Sequence, residues 1–105
     1  MSGLTTHVLD TSRGRPGAGV SVILQRRGEE WDPVARAVTD ADGRARLVDD
    51  IEPGIYKITF DTGAYFEGET FFPEASVVFE VRDAKQHYHV PLLVSPFGYS
   101  TYRGS

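Results

Sequence analysis

The stretch His87-Tyr88-His89-Val90-Pro91-Leu92-Leu93-Val94 decides the fold class of this chain. As a β-strand it places Tyr88, Val90, Leu92 and Val94 on one face, and the histidines, Pro91 and Leu93 on the other. Neither face is typical of a wet surface, although a sandwich that stands alone usually keeps one face of each sheet in water. Two explanations remain open: the strand is buried on both sides within a small domain, or another subunit covers its second face.

Strand-like stretches recur about every ten residues along the rest of the chain. They are rich in alternating, β-branched and aromatic residues, and turn sequences containing Gly, Pro and Asp separate them. We predict eight strands, at residues 4–10, 19–26, 34–40, 43–48, 54–61, 76–82, 87–94 and 99–105. This spacing is typical of an all-β sandwich. Only residues 62–69 suit a helix, and a short one, because each of the two glycines costs about 1 kcal/mol in a helix interior.

Length and composition fit one domain, residues 1–105. The chain has no cysteine, which excludes disulfides and thiolate metal sites. The formal net charge is −4 and the basic residues are scattered, so we expect no nucleic-acid partner. No apolar run is long enough to span a membrane, and the first residues do not follow a signal-peptide pattern. We therefore expect a cytoplasmic protein without a membrane partner.

The three histidines are the first candidates for chemistry. If Val8 faces the core, alternation turns His7 outward, while His87 and His89 share one face with Cβ atoms roughly 7 Å apart. A neutral imidazole near pH 7 can act as a general base. The alternative is a zinc site, because a His-x-His pair on a strand with a distant third histidine is one pattern of catalytic zinc ligands.

Arg44 and Arg46 share a face just after the tight Asp42-Gly43 turn. One interpretation is a solvated hairpin charge, which is the usual fate of an arginine. The other is a fixed guanidinium fork that binds a planar, carbonyl-rich ligand. The pattern alone does not choose between them. The sequence contains neither the G-x-S-x-G nucleophile motif nor a glycine-rich phosphate loop.

Several stretches of the chain resemble the 5-hydroxyisourate hydrolases of the transthyretin-like family. The resemblance covers nearly the whole chain, and its two ends are the most specific parts. The matching stretches are Leu4-Thr5-Thr6-His7-Val8-Leu9-Asp10, Thr39-Asp40, Asp42-Gly43-Arg44, Gly54-Ile55-Tyr56, Phe71-Phe72-Pro73, His87-Tyr88-His89-Val90-Pro91-Leu92-Leu93 and Tyr102-Arg103-Gly104-Ser105.

The resemblance implies a transthyretin-like sandwich of two four-stranded sheets with one short helix, near residues 62–69. It also implies a homotetramer, formed as a dimer of dimers, with the active sites in the channel between the dimers. The implied reaction is hydrolysis of the N1–C6 cyclic amide of 5-hydroxyisourate in urate catabolism. It requires no cofactor and no metal.

The resemblance also implies the roles of individual residues. Catalysis is expected from His7, Arg44, His89 and the terminal Ser105. Substrate contacts are expected from His7 and Arg44 and from the terminal segment Tyr102-Arg103-Gly104-Ser105, with His87 at the rim. Three alternatives remain: a transthyretin-like carrier of a small ligand without catalysis, a structural sandwich module of a longer surface protein, and a zinc hydrolase.

Overall fold

The structure is a computed structural model that describes residues 3–105. These residues form nine strands and one helical turn. The elements are β1 (Gly3–Asp10), β2 (Arg15–Pro16), β3 (Ser21–Arg27), β4 (Trp31–Val38), β5 (Arg44–Val48), β6 (Gly54–Phe60), α1 (Thr62–Tyr65), β7 (Ala75–Val81), β8 (His87–Ser95) and β9 (Gly98–Thr101).

The strands form the two layers of a sandwich. One sheet has the order β4-β3-β6-β7; the other has the order β2-β1-β8-β9, with β5 also paired to β1. Strands β1 and β8 run parallel, and the other pairs are antiparallel. The prediction of an all-β sandwich with one short helix is therefore confirmed. The second sheet has a fifth, two-residue strand because Arg15–Pro16, which the sequence marks as a turn, pairs with the end of β1.

Two predicted boundaries differ from the structure for reasons of local backbone chemistry. Strand β4 begins at Trp31 rather than at residue 34 and runs through Pro33. Because β4 is an edge strand, a proline there need not cost a ladder hydrogen bond. The helix spans Thr62–Tyr65 instead of 62–69, since Glu67 and Gly68 both have positive φ, 55° and 83°, which a right-handed helix does not allow.

Alternation along β1 and β8 builds the core as predicted. Leu4 and Val8 of β1 and Val90 and Leu92 of β8 are buried between the sheets. The second face of β8 is mixed, because His87 is exposed, His89 and Leu93 are half-buried and Pro91 is buried within the single chain. Part of this apolar face is thus covered without any partner subunit.

A buried carboxylate links β1 to the helical turn. Asp10 accepts hydrogen bonds from the Ser12 hydroxyl and backbone, from the Arg13 backbone, and from the Tyr65 hydroxyl at 2.6 Å. Burial alone would raise the pKa of Asp10, but these hydrogen bonds outweigh it and hold the pKa below its ordinary value. The contact fixes the helical turn against the sheet, at the end of β1 remote from the histidines of β8.

The last four residues are not part of a strand, which corrects the prediction of a strand over 99–105. Strand β9 ends at Thr101. The Gly104 N–H nevertheless donates a 2.8 Å hydrogen bond to the His89 carbonyl, so the terminal segment still follows β8. None of the helices among residues 3–105 is long and apolar enough to cross a membrane.

Candidate active site

Strand register brings the polar side chains of three strands together on the outer face of one sheet. Thr5 of β1 lies opposite Arg46 of β5 on one side and His89 of β8 on the other. His7 pairs with Arg44 in the same antiparallel ladder. Residues two apart on a strand share a face, so the histidines and arginines meet although they are distant in sequence.

A pocket of about 390 Å³ opens on this face. Four of the predicted site residues line it, namely Arg44, His87, His89 and Ser105. Its lining consists of Thr5, Thr6, Asp40, Arg44, Ala45, Arg46, His87, His89 and Ser105.

The two histidines of β8 share one hydroxyl. Thr5 Oγ1 lies 2.8 Å from Nδ1 of His89 and 3.1 Å from Nε2 of His87. Sequence reasoning missed Thr5, because a threonine in a strand is ordinary. Alternation already placed it on the face of His7, but only the pairing of β1 with β8 identifies the two rings it contacts.

The surroundings of His89 disfavour its charged form. Burial lowers its pKa below the ordinary 6.5, and positive charge on His7, Arg44 and His87 lowers it further, while a hydrogen bond to the backbone of Thr5 opposes the change. His89 is therefore neutral near pH 7 and can accept a proton. Its Nδ1 is occupied by Thr5, which leaves Nε2 as the ring nitrogen without a hydrogen-bond partner among residues 3–105.

Arg44 is held by the turn that precedes it. The Asp40 carboxylate accepts hydrogen bonds from the backbone N–H groups of Asp42 and Arg44, at 2.9 and 3.0 Å. Gly43 has a φ of +76°, and a Cβ there would collide with the Val8 carbonyl oxygen. A rigid turn thus fixes the direction from which the guanidinium enters the pocket.

His7 lies beside the pocket and does not line it. Its Nε2 is 2.9 Å from the Asp42 carbonyl oxygen, which can only accept, so Nε2 carries the hydrogen. This bond ties the His7 ring to the turn that holds Arg44. His7 is still close enough to lower the pKa of His89.

The terminal segment borders two adjacent cavities, and His89 lines both of them. Ser105 lines the pocket, and Gly104 lies flat on the His89 ring, where a Cβ would collide with Cδ2 and lie 3.2 Å from Cγ. Tyr102 and Arg103 instead line a separate cavity of about 230 Å³ beside β7. Within one chain these two residues do not line the pocket, in contrast to the expectation that they contact substrate.

Arg103 has clear partners of its own. Its guanidinium carbon lies 4.7 Å from the centre of the Tyr88 ring, and one of its nitrogens donates a 2.8 Å hydrogen bond to the Gln86 side chain. This cation–π contact anchors the terminal segment just before Gly104.

The arrangement suits proton transfer and binding of a carbonyl-rich ligand. No group of three or more His, Cys, Asp or Glu side chains among residues 3–105 is placed to hold a metal ion. The one carboxylate side chain that lines the pocket, Asp40, accepts backbone hydrogen bonds. Imidazole and guanidinium groups are left to act on a ligand.

The fold and the pocket together define a small β-sandwich protein with a pocket lined by imidazole and guanidinium groups on one sheet face. The HIUase/Transthyretin family model matches residues 4–104, and the chain belongs to this family. The resemblance read from the sequence is confirmed.

Its relatives include both 5-hydroxyisourate hydrolases and transthyretins. The 5-hydroxyisourate hydrolase of Caulobacter vibrioides is 50% identical over an alignment that covers all of both chains. The structure of Klebsiella pneumoniae 5-hydroxyisourate hydrolase has a TM-score of 0.88 and 41% identity, over 99% of this chain and 100% of that one. Sea bream transthyretin in complex with thyroxine has a TM-score of 0.89 and 32% identity, over 96% of this chain and 93% of that one. The fold alone therefore does not distinguish catalysis from carriage.

Proposed function

We propose that this chain is a 5-hydroxyisourate hydrolase, acting as a single domain over residues 1–105. It opens the N1–C6 cyclic amide of 5-hydroxyisourate to give 2-oxo-4-hydroxy-4-carboxy-5-ureidoimidazoline during urate breakdown. The observation that carries the proposal is the polar pocket, with Arg44, His89 and Ser105 in its lining, in a chain 50% identical over its full length to a protein of that name.

Arg44 binds the carbonyl edge of the substrate in this proposal. The guanidinium fork suits a planar ring bearing carbonyl oxygens, and it stabilises the negative charge that develops on the C6 oxygen when water attacks. The turn at Asp40–Gly43 keeps the fork in place before substrate arrives. Preorganised donors of this kind contribute about 10²–10³-fold to kcat.

His89 is the general base. Its Nε2 takes a proton from the attacking water, and the lowered pKa keeps the ring neutral and ready near pH 7. The same nitrogen then donates that proton to N1 as the C6–N1 bond breaks, which leaves a carboxylic acid at C6 that releases its own proton to water and becomes a carboxylate. His7 assists by bracing the turn that carries Arg44, since its Nε2–H donates to the Asp42 carbonyl oxygen.

The terminus completes the pocket. Ser105 orients water or substrate through its hydroxyl or its terminal carboxylate, and Gly104 allows the backbone to lie against the His89 ring. Tyr102 and Arg103 act from the neighbouring cavity rather than through contacts in the pocket of the same chain. We retain Tyr102 as a wall of the completed site in the assembly.

We further propose a homotetramer, a dimer of dimers whose channel contains the active sites. Strands β7 and β9 each form one edge of a sheet, and such an edge can pair with a second copy of the chain. Phe97, in the turn between β8 and β9, is 82% exposed, which is unusual for so large an apolar side chain unless a partner covers it. Sedimentation or light scattering that gives four times 11.6 kDa supports this assembly, and a monomer excludes it.

The alternative function is a carrier of a small ligand, as the thyroxine complex of sea bream transthyretin illustrates. The pocket here argues against it, because two imidazoles and two arginines line it where an apolar hormone would need apolar walls.

The test is the rate at which the absorbance of 5-hydroxyisourate disappears after uricase has acted on urate. We expect purified protein to accelerate that loss well beyond the spontaneous rate, with or without a metal chelator. No acceleration would exclude the enzyme, and acceleration abolished by chelator would favour the zinc hydrolase.

A further inference from the structure

His87, Thr5 and His89 are joined by one hydroxyl group. Thr5 Oγ1 contacts both rings, at 2.8 Å from His89 Nδ1 and 3.1 Å from His87 Nε2. A hydroxyl has a single proton, so it can donate to one ring only and must accept from the other. We propose that these three residues form a hydrogen-bonded chain that sets the tautomer of His89 and carries a proton between the pocket and solvent. The inference rests on the proposed function, for which it supplies the role of His87.

The hydrogen-bonded chain of His89, Thr5 and His87 has two states that differ in the positions of its protons. In the first, His89 Nδ1–H donates to Thr5 and the Thr5 hydroxyl donates to His87 Nε2, so that His89 Nε2 has a free lone pair. When Nε2 takes a proton from water, the Nδ1 proton moves to the Thr5 oxygen and the hydroxyl proton moves to His87 Nε2. His87 is then the cation, and its Nδ1 can release a proton to water. The reverse shift returns a proton to His89, whose Nε2 protonates the leaving nitrogen.

The electrostatics of the site favour moving the charge outward. His89 is half-buried, Arg44 is nearby, and burial lowers its pKa, so a cation there is poorly solvated. His87 is exposed, which lets water hydrate the imidazolium. Transfer through Thr5 replaces an unfavourable buried charge with a hydrated one, without a change in the number of protons in the site.

Strand pairing holds the three groups in place. Gly3 lies opposite His87 and Thr5 opposite His89 in the parallel β1–β8 pair, so the hydroxyl is positioned by two central strands. The β-branched threonine also has few χ1 rotamers, which keeps the oxygen between the rings.

Matched substitutions at Thr5 test the hydrogen-bonded chain. Thr5→Val keeps the branched shape and removes the hydroxyl, and Thr5→Ser keeps the hydroxyl. We expect Thr5→Val to lower kcat about tenfold or more with KM changed less than about threefold, and Thr5→Ser to stay within about threefold of the wild type. Equal kcat for the valine variant and the wild type would overturn the proposal, as would equal losses in both variants.

A double-mutant cycle tests the role of His87. His87→Gln and Thr5→Val interrupt the same chain, so the double variant should lose no more activity than the more impaired single variant. Losses of activity that multiply in the double variant would show that the two residues act separately, and would overturn the proposal of a hydrogen-bonded chain.

Nitrogen NMR of the His89 ring gives a readout that does not depend on activity. We expect one dominant neutral tautomer in the wild type and a mixture in Thr5→Val, with chemical shifts elsewhere unchanged. The same mixture in both proteins would refute the positioning role. If the wild type proves inactive while the tautomer responds to Thr5, the proposed function fails and the hydrogen-bonded chain stands.

Discussion

Gly104→Ala tests whether the terminus is part of the active site. A Cβ at Gly104 would collide with Cδ2 of the His89 ring and lie 3.2 Å from Cγ and 3.4 Å from Cβ of the same residue. Ordinary contact requires 3.4–4 Å, so either the terminal segment or the imidazole must move, by about 1 Å. A displacement of about 1 Å at a reacting group can cost about 100-fold in rate, and we expect a loss of that size in kcat/KM.

Gly98→Ala is the matched control. The atom nearest to a Cβ at Gly98 is Ser95 Oγ at 4.0 Å, so the added methyl meets only ordinary contact. We expect this variant to keep nearly all of its activity. Neither variant should lower Tm by more than a few degrees, because Gly104 lies beyond the last strand. A fully active Gly104→Ala enzyme, or equal losses in both variants, would refute the placement of the terminus against His89.

Three further predictions concern the terminus and the titration of the site. A tag fused after Ser105 should abolish most activity while an N-terminal tag does not, measured by the loss of 5-hydroxyisourate absorbance. Equal activity of the two tagged proteins would make the terminus a simple tail. The acid limb of the kcat/KM profile should lie below pH 6.5, because the pKa of His89 is lowered in the folded protein and the base must be neutral; a limb above that value would contradict the assignment. Arg103→Ala should lower kcat about tenfold, because it frees the terminal segment from Tyr88 and Gln86. Arg103→Lys should restore activity only in part, because an ammonium lacks the planar fork of a guanidinium. Unchanged kcat in the alanine variant would show that the anchor is dispensable.

The strand pattern could be predicted from the sequence wherever one face is buried. Alternation placed Val90 and Leu92 of β8 together on one face and turned His7 away from Val8, and Val8, Val90 and Leu92 are buried in the core. The strand Arg15–Pro16 was missed, because two residues are too few to show the alternation that marks a strand. The start of β4 was placed too late because a proline is a turn signal unless the strand is known to be an edge.

The candidate site was predictable in its residue types and not in its connections. His89, Arg44 and Ser105, which the resemblance implied as site residues, line one pocket. Thr5 was missed because its role depends on two rings more than 80 residues away in the chain. The side on which Ser105 and Arg103 lie could not be predicted from alternation, because residues 102–105 are not a strand and their position depends on the hydrogen bond from Gly104 to β8.

The most direct test of the account is the rate of 5-hydroxyisourate loss with wild-type protein and with His89→Asn, compared under identical conditions. We expect strong acceleration by the wild type and a loss of about 10²–10⁴-fold in the variant, with Tm lowered only slightly, because asparagine removes the base from a half-buried surface position. Undiminished catalysis by a folded His89→Asn variant would contradict the assignment of the base, and spontaneous decay alone with the wild type would contradict the function itself.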